Sequence, residues 1–223
     1  MKPATAVLFD LDGTLTDSSL GIFRCFRYAF ARYAEAGGPS VDLPADSELG
    51  WIVGPPLRES FAKLAGESAK ERLMGFYLER YSPIGAFENR VYEGVVEALQ
   101  HLAASGARLF VATSKNERDA RAILEHFSLA DRFESINGAR LDGSRAAKRD
   151  LIGDVVAAHA LKLGADRIAM IGDREFDMRG AREVGVAAIG ALWGYGTRAE
   201  LVDAGADALA ATPPEAAEIA LTR

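Results

Sequence analysis

Two aspartates stand one residue apart at the end of the first apolar run of this chain. Residues 5–9 are β-prone and apolar after the first threonine, and Asp10 and Asp12 follow, with Gly13 and Thr14 behind them. Such a run is typical of a strand buried on both faces of a parallel sheet. Residues two apart in an extended chain point the same way, so both carboxylates can face one volume. Like charges held close together need a cation or a shared proton, so the pair predicts a reactive or metal-binding site.

Asp12 and Gly13 also permit a second interpretation, a hairpin turn, because Asp-Gly between apolar runs is a strong hairpin signal. A hairpin needs a second β-like strand after the turn, whereas residues 15–21 are polar and interrupted. We therefore expect Asp10 at the carboxyl end of a parallel strand, where open α/β sheets bind their ligands.

Polar side chains end two further predicted strands. Thr113 and Ser114 follow one of them, Asp173 and Asp177 follow a later one, and Lys148 begins a helix between the two. Because the carboxyl ends of parallel strands meet at one edge, we expect these groups to lie near Asp10. Carboxylates and water are the ligands that Mg²⁺ prefers, while a hydroxyl, an ammonium and helix N–H groups hold phosphate. The sequence thus predicts a magnesium and phosphate site.

Two patterns of predicted elements divide the chain. After the first strand the periodicity is helical to residue 81, and from residue 92 onward helices and strands alternate. The predicted helices are one that ends at 37–39, those of 47–53, 56–65, 68–81, 93–105, 116–127 and 146–163, and one that follows 172–173 and reaches about 184. The later predicted strands are 109–112, 133–136, 167–171 and 186–189. Alternating strands and helices predict an α/β fold, a doubly wound parallel sheet with a Rossmann-like core. We expect that core in residues 1–17 and 90–223, with an inserted helical cap in 18–89.

Composition narrows the classes of partner. The 223 residues include 26 basic and 32 acidic side chains, which gives a net charge of −6. An acidic chain without a basic block is a poor binder of nucleic acid or of an anionic membrane. We see no secretory signal and no apolar stretch of roughly 18 residues. The single cysteine fits a reducing compartment, so we expect a cytoplasmic protein. We also expect a monomer or weak homodimer.

Four motifs, in order, resemble those of the haloacid dehalogenase-like hydrolase superfamily. They are Asp10–Thr14, Val111–Thr113, Lys148 and Gly172–Asp177, and the helical insert resembles the cap of that superfamily. Shorter stretches are similar to its phosphoglycolate phosphatase-like and 5′-nucleotidase-like branch, namely Ile52–Leu57, Leu141–Arg145 and Gly194–Arg198. The resemblance covers nearly the whole chain.

The resemblance implies a phosphomonoesterase that forms an aspartyl-phosphate. Asp10 would attack phosphorus, and Asp12 would protonate the leaving oxygen and later accept a proton from water. Asp10, the backbone carbonyl of Asp12 and Asp173 would hold Mg²⁺, with Asp177 beside them. The substrate would be a small phosphate ester, of the phosphoglycolate or nucleoside monophosphate type.

The same resemblance implies the substrate contacts. Thr113 and Lys148 would bind the phosphoryl oxygens. Ser114 and Lys115 extend the strand end that carries Thr113, and Lys115 either contacts substrate or caps the helix that follows. Arg58, just after residues 54–56, is the residue of the insert that we expect to contact substrate. Two departures from the family pattern stand out: Arg174 replaces a small residue after Asp173, and the segment around Lys148 lacks the Lys-Pro pair common in this branch.

Three other functions compete with a phosphatase. A dehalogenase needs no second acid, so Asp12 argues against it. A sugar-phosphate mutase shares the catalytic residues and stays open. A phospho-accepting receiver domain has a similar sheet and acidic cluster, but it needs neither the helical insert nor an acid two residues after the acceptor. A non-catalytic interaction module is expected to lose at least one key group, and none is lost here.

Overall fold

The structure is a computed structural model that describes residues 5–140, 145 and 147–222. Most of the branch-specific stretch Leu141–Arg145, and residue 146 where a helix was predicted to begin, lie outside the described residues. The described chain contains eight strands and nine helices of the α type. In chain order they are β1 (Thr5–Phe9), β2 (Thr16–Asp17), α1 (Ser19–Glu35), α2 (Leu57–Ala65), α3 (Lys70–Tyr81), β3 (Arg90–Val91), α4 (Val95–Ala104), β4 (Arg108–Asn116), α5 (Glu117–His126), β5 (Ser135–Ala139), α6 (Lys148–Ala158), β6 (Arg167–Gly172), α7 (Glu175–Val184), β7 (Ala187–Ala191), α8 (Arg198–Asp203), β8 (Ala208–Ala210) and α9 (Pro213–Thr222).

The chain forms two compact units, one of residues 17–90 and one that combines Met1–Thr16 with Val91–Arg223. The second, which we call the sheet unit, contains a six-stranded sheet in the order β5-β4-β1-β6-β7-β8. Every neighbouring pair in this sheet is parallel. The predicted α/β class with a parallel sheet is therefore confirmed. The described helices include none that is long and apolar enough to cross a membrane.

The apolar run of β1 is buried as its composition predicts. Residues 6–8 are inaccessible, and β1 lies between β4 and β6 at the centre of the sheet. Leu8 belongs to a core cluster with Phe110 of β4, Met170 of β6 and side chains of α6 and α7. The hairpin interpretation of Asp12 and Gly13 is wrong, because β1 pairs only in parallel and the chain instead closes a compact turn over residues 11–16.

Several predicted elements differ from those observed. Residues 47–53 form two short 3₁₀ helices, Asp46–Glu48 and Gly50–Ile52, in place of one helix. The helix α6 ends at Ala158, and Ala160 two residues later takes a positive φ of 52°, which a helix does not allow. The predicted helix to residue 163 is therefore too long. The strand β8 was not predicted, because Ala208–Ala210 lies in an alanine-rich tract with little β-propensity and forms only by pairing with β7.

The helical unit, residues 17–90, has its own aromatic core. The ring of Phe26 on α1 stacks on Phe61 of α2 at a centroid distance of 4.7 Å. Phe61 in turn meets the edge of Tyr77 on α3 at 6.1 Å. Each of the three helices thus contributes an aromatic side chain to one cluster, which explains how so short a segment buries enough apolar surface to pack.

Two glycines let the end of this unit pack tightly onto α1. A Cβ added at Gly21 would lie 2.0 Å from the carbonyl oxygen of Gly85, and one added at Gly85 would lie 2.3 Å from Cys25 Sγ. The Gly21 N–H donates to the carbonyl of Glu88 at 3.0 Å. The segment after α3 is therefore held against α1 by backbone contact, which only glycine permits.

We predict that Gly21→Ala destabilises the helical unit by about 1–3 kcal/mol, because the obstructing atom is backbone and cannot rotate away. The matched control is Gly75→Ala in α3, where an added Cβ meets nothing within 4 Å. That control should gain up to ~1 kcal/mol of helix propensity. Urea unfolding followed by circular dichroism measures both, and an unchanged midpoint for Gly21→Ala would show that the contact is not tight.

Candidate active site

The central position of β1 puts Asp10 between the ends of two neighbouring strands. Its N–H donates to the carbonyl of Ile171 on β6 at 3.0 Å, which extends the sheet pairing by one residue. Thr113 lies near the end of β4 and Asp173 directly after β6, so both flank Asp10 as the parallel topology requires. The sequence prediction that these strand ends converge is met by the sheet order.

Three buried carboxylates meet at this edge. Asp10, Asp173 and Asp177 each offer an oxygen atom, and these atoms all lie within 4.8 Å of one another. Asp173 and Asp177 are inaccessible to solvent and Asp10 is only 5% exposed. Carboxylates this close and this dry repel one another strongly unless a cation lies among them.

Lys148 supplies one positive charge to the cluster. Its Nζ lies 2.6 Å from Asp10 Oδ1 and 2.7 Å from Asp177 Oδ1, and it donates a hydrogen bond to the carbonyl of Ala112 at 2.9 Å. Burial opposes the ammonium form, but Asp10 and Asp177 outweigh it and raise the pKa of Lys148. The ammonium is thus held charged in the interior.

One ammonium does not satisfy three carboxylates. Lys148 contacts Oδ1 of Asp10 and Oδ1 of Asp177, and a single ammonium cannot offset the charge of three buried carboxylates. Burial, Asp177 and Asp10 together raise the pKa of Asp173 well above its usual range. The set of buried, under-neutralised oxygen ligands fits a divalent cation with a preference for oxygen.

Asp173 is held by the backbone around it. Thr14 Oγ1 donates to Asp173 Oδ1 at 3.1 Å, and the N–H of Tyr195 donates to Oδ2 at 2.9 Å. An added Cβ at Gly13, whose φ is +89°, would lie 2.2 Å from Asp173 Oδ2, and one at Gly196 would lie 2.0 Å from the Asp173 carbonyl oxygen. Glycines from two loops therefore let the backbone close around this carboxylate.

Arg174 forms a salt bridge with α8. Its Nε lies 2.8 Å from Glu200 Oε1, the same oxygen that accepts the N–H of Glu175 at 3.0 Å. Burial opposes ionisation of Glu200, but the hydrogen bonds from Arg174 and Glu175 prevail and lower its pKa. Glu200 thus ties α8 to the start of α7, where the Arg174 N–H donates to Asp177 Oδ2 at 3.1 Å. Sequence reasoning missed Glu200, because no spacing links it to the acidic motif 25 residues earlier.

Three of the predicted substrate-binding residues, Thr113, Ser114 and Lys115, lie along the end of β4. Thr113 is buried, and its Oγ1 accepts the N–H of Lys115 at 3.3 Å. Ser114 follows on the same strand. The side chain of Lys115 forms an ion pair with Asp12, and its Nζ lies 2.6 Å from Asp12 Oδ2. The sequence indicated Lys115 as a substrate contact and gave no sign of this pairing.

Arg58 belongs to the helical unit, in the first turn of α2. Its Nε lies 3.0 Å from Glu71 Oε1 on α3. The other predicted site residues all belong to the sheet unit. The structure therefore gathers the acids, Thr113, Ser114 and both lysines in one unit and leaves the role of Arg58 as a prediction.

Several known proteins are similar to this chain in sequence and in fold. A family model described as haloacid dehalogenase-like hydrolase matches residues 7–191. A 5′-nucleotidase of Pseudomonas aeruginosa is 40% identical over 197 residues, which are 87% of this chain and 86% of the relative. The crystal structure of a predicted phosphatase from Clostridium acetobutylicum superimposes with a TM-score of 0.90 at 35% identity and covers 100% of both chains.

Another similar protein is named as a kinase and not as a nucleotidase or a phosphatase. The tyrosine-protein kinase PtkA of Mycobacterium tuberculosis is 41% identical over 198 residues, which are 88% of this chain. The matched region spans 65% of that kinase's length, so part of the relative has no counterpart here.

We predict that the metal-free protein loses stability as pH rises from 3.8 through about 6, the pKa to which burial raises Asp177. A carboxyl whose pKa is raised by folding holds its proton more tightly in the folded state. It therefore adds stability at low pH and loses it as pH passes the folded pKa. Urea unfolding in EDTA across this range measures the slope, and Asp177→Asn, which does not titrate, should reduce it by removing the contribution of Asp177, while Asp173, whose pKa is also raised, keeps its own.

A bound divalent cation should remove the loss of stability that ionisation of these buried carboxylates causes. At a hundredfold excess over its Kd, a bound ion adds about 2.7 kcal/mol to the free energy of unfolding. An unfolding midpoint that responds neither to pH in EDTA nor to added metal would contradict a cation site at the three carboxylates.

Proposed function

Because the chain belongs to the haloacid dehalogenase-like hydrolase family, we propose that it is a phosphomonoesterase that transfers the phosphoryl group of a small ester to Asp10 and then to water. The observation that carries the proposal is the position of Asp10, which lies at a strand end against the buried ammonium of Lys148, 2.6 Å away. A phosphate dianion needs nearby positive charge if a carboxylate is to approach it.

Asp10 acts as the nucleophile in this proposal. One of its oxygens forms a bond to phosphorus while the bond to the leaving oxygen breaks, and the leaving oxygen takes a proton from Asp12. Water then displaces Asp10 from phosphorus, and Asp12 accepts the proton that the water loses. Asp12 is suited to both steps, because it follows Asp10 at two residues and its Oδ1 has no hydrogen-bond partner in the described part of the chain.

Thr113 and Lys148 bind the phosphoryl oxygens. The hydroxyl of Thr113 is held at the end of β4, and Lys148 lies within reach of Asp10 and Asp177. Besides binding phosphate, the ammonium of Lys148 reduces the repulsion between the acids and an incoming dianion. Ser114 extends the same strand end and is proposed as a further contact.

Mg²⁺ is the proposed cofactor. Asp10, the backbone carbonyl of Asp12, Asp173 and Asp177 would hold it, since these oxygen donors fit a hard divalent ion. When bound, Mg²⁺ neutralises charge on the phosphoryl group and lowers the barrier to displacement.

The proposed substrates are small phosphate monoesters. The name of the Pseudomonas relative favours a nucleoside 5′-monophosphate, and phosphoglycolate is the second candidate. We propose no nucleic acid polymer and no membrane as partners, a monomer or weak homodimer as the assembly, and the cytoplasm as the location. Release of inorganic phosphate from a panel of such esters with Mg²⁺ tests the function, whereas an isomeric phosphate product without release would indicate a mutase.

Asp10→Asn should retain the fold and lose activity by at least ~10²-fold, because an amide oxygen cannot form the covalent intermediate. The matched control is Asp131→Asn, an exposed aspartate on a 3₁₀ helix, which should keep full activity. Initial rates on p-nitrophenyl phosphate and thermal melting measure both variants. A folded Asp10→Asn enzyme with more than about a hundredth of the activity would exclude Asp10 as the nucleophile.

Arg58→Ala should reduce kcat/KM for the preferred natural ester by ~10-fold, the equivalent of one charge-assisted hydrogen bond. It should leave p-nitrophenyl phosphate nearly unaffected, because that ester offers no natural leaving group to recognise. Glu71→Ala is the matched control, since it breaks the ion pair of Arg58 but keeps the guanidinium. Equal losses on both esters would assign Arg58 to stability instead.

A further inference from the structure

Lys115 and Asp12 form a nearly buried ion pair outside the carboxylate cluster. Lys115 Nζ lies 2.6 Å from Asp12 Oδ2, and the two side chains are only 8% and 13% exposed. The pair uses one oxygen of Asp12 and leaves Oδ1 without a hydrogen-bond partner among the described residues. One oxygen of this acid is therefore anchored and the other is left for chemistry.

A bulge in the β4–β5 register determines the position of Lys115. Thr113 pairs with Gly138 and Asn116 pairs with Ala139, so β4 passes through Ser114 and Lys115 while β5 advances by a single residue. Such bulges turn a strand and re-aim its side chains. The turn is possible because residue 138 is a glycine, whose added Cβ would lie 2.6 Å from the Lys115 carbonyl oxygen.

Both ends of the bulge are fixed. The Lys115 N–H donates to Thr113 Oγ1 at 3.3 Å, and Asn116 caps α5 by accepting the N–H of Asp119 at 2.9 Å. A lysine whose backbone is held on both sides loses less freedom when its ammonium binds a carboxylate. The ion pair is thus built into the fold of this strand end.

We propose that Lys115 is a positioning residue for Asp12, which holds the carboxylate so that Oδ1 accepts a proton from the water that hydrolyses phospho-Asp10. The inference rests on the proposed function. In that step the water oxygen bonds to phosphorus and the bond from phosphorus to Asp10 breaks. Its electron pair returns to the Asp10 carboxylate, and one proton of the water moves to Asp12 Oδ1. The ammonium of Lys115 stays on Oδ2 throughout.

This role differs from the substrate contact that the sequence indicated. A lysine that binds the phosphate of the substrate would strengthen substrate binding and transfer to Asp10, whether or not Asp12 is present. A lysine that acts through Asp12 affects the step in which Asp12 is the base, and it has no effect once Asp12 is removed.

The two roles separate in rapid mixing with p-nitrophenyl phosphate and Mg²⁺. Its leaving group needs no proton, so the burst of p-nitrophenolate reports transfer to Asp10 and the linear phase reports hydrolysis of phospho-Asp10. Lys115→Met should leave the burst rate within about threefold and slow the linear phase by ~10-fold or more. Lys115→Arg should restore most of the linear rate, because arginine keeps the charge on Oδ2.

The comparison with Asp12→Asn completes the experiment. We expect that adding Lys115→Met to Asp12→Asn slows the linear phase no further. Lys70→Met, which removes a surface lysine paired with Glu67, is the control and should match the wild type. A slower burst or a raised KM in Lys115→Met, with losses that multiply in the double variant, would overturn the proposal and make Lys115 a substrate ligand.

Failure of the proposed function looks different. A wild-type protein that releases no p-nitrophenolate, and no phosphate from adenosine 5′-monophosphate or phosphoglycolate, would refute the phosphatase and the role of Lys115 together. An active wild type with an unchanged linear phase in Lys115→Met would refute the role of Lys115 alone.

Discussion

The ion pair that Lys148 makes inside the sheet unit is the interaction on which the rest of the site depends. Three carboxylates with oxygens within 4.8 Å of one another would not stay buried on packing alone. The ammonium lies 2.6 Å from Asp10 and 2.7 Å from Asp177, which offsets part of their repulsion and leaves the cluster with excess negative charge. The proposed binding of a cation and a phosphate rests on that incomplete neutralisation.

The parallel sheet places these charged groups together at one edge. With β1 between β4 and β6, Asp10 projects from the centre of one edge, and the ends of its neighbours supply Thr113 and Asp173. Glycines at positions 13 and 196 allow the adjoining loops to close on Asp173 to distances that no side chain would permit. The scaffold carries the packing energy, so the loops are free to hold strained and charged groups.

Much of this could be predicted from the sequence, and the omissions have physical causes. A buried parallel strand and an acid at its end leave a local signature, which located Asp10, and the same holds for Asp173. Contacts that depend on tertiary placement leave none. Glu200 reaches the acidic motif only because α8 packs beside α7, and Lys115 reaches Asp12 only through an irregularity in the β4–β5 register. The strand β8 was missed because its alanines are stabilised by pairing rather than by propensity.

A phosphatase that works through phospho-Asp10 is tested most directly by identifying the residue that carries phosphorus during turnover. The protein is mixed with excess p-nitrophenyl phosphate and Mg²⁺, quenched in acid within the first turnovers, digested and analysed by mass spectrometry. We expect one phosphoryl group on the peptide that contains Asp10, released by hydroxylamine as an acyl phosphate is, and absent from Asp10→Asn. A phosphoryl group on another residue, or an active enzyme with none at any quench time, would contradict the assignment of Asp10 as the nucleophile.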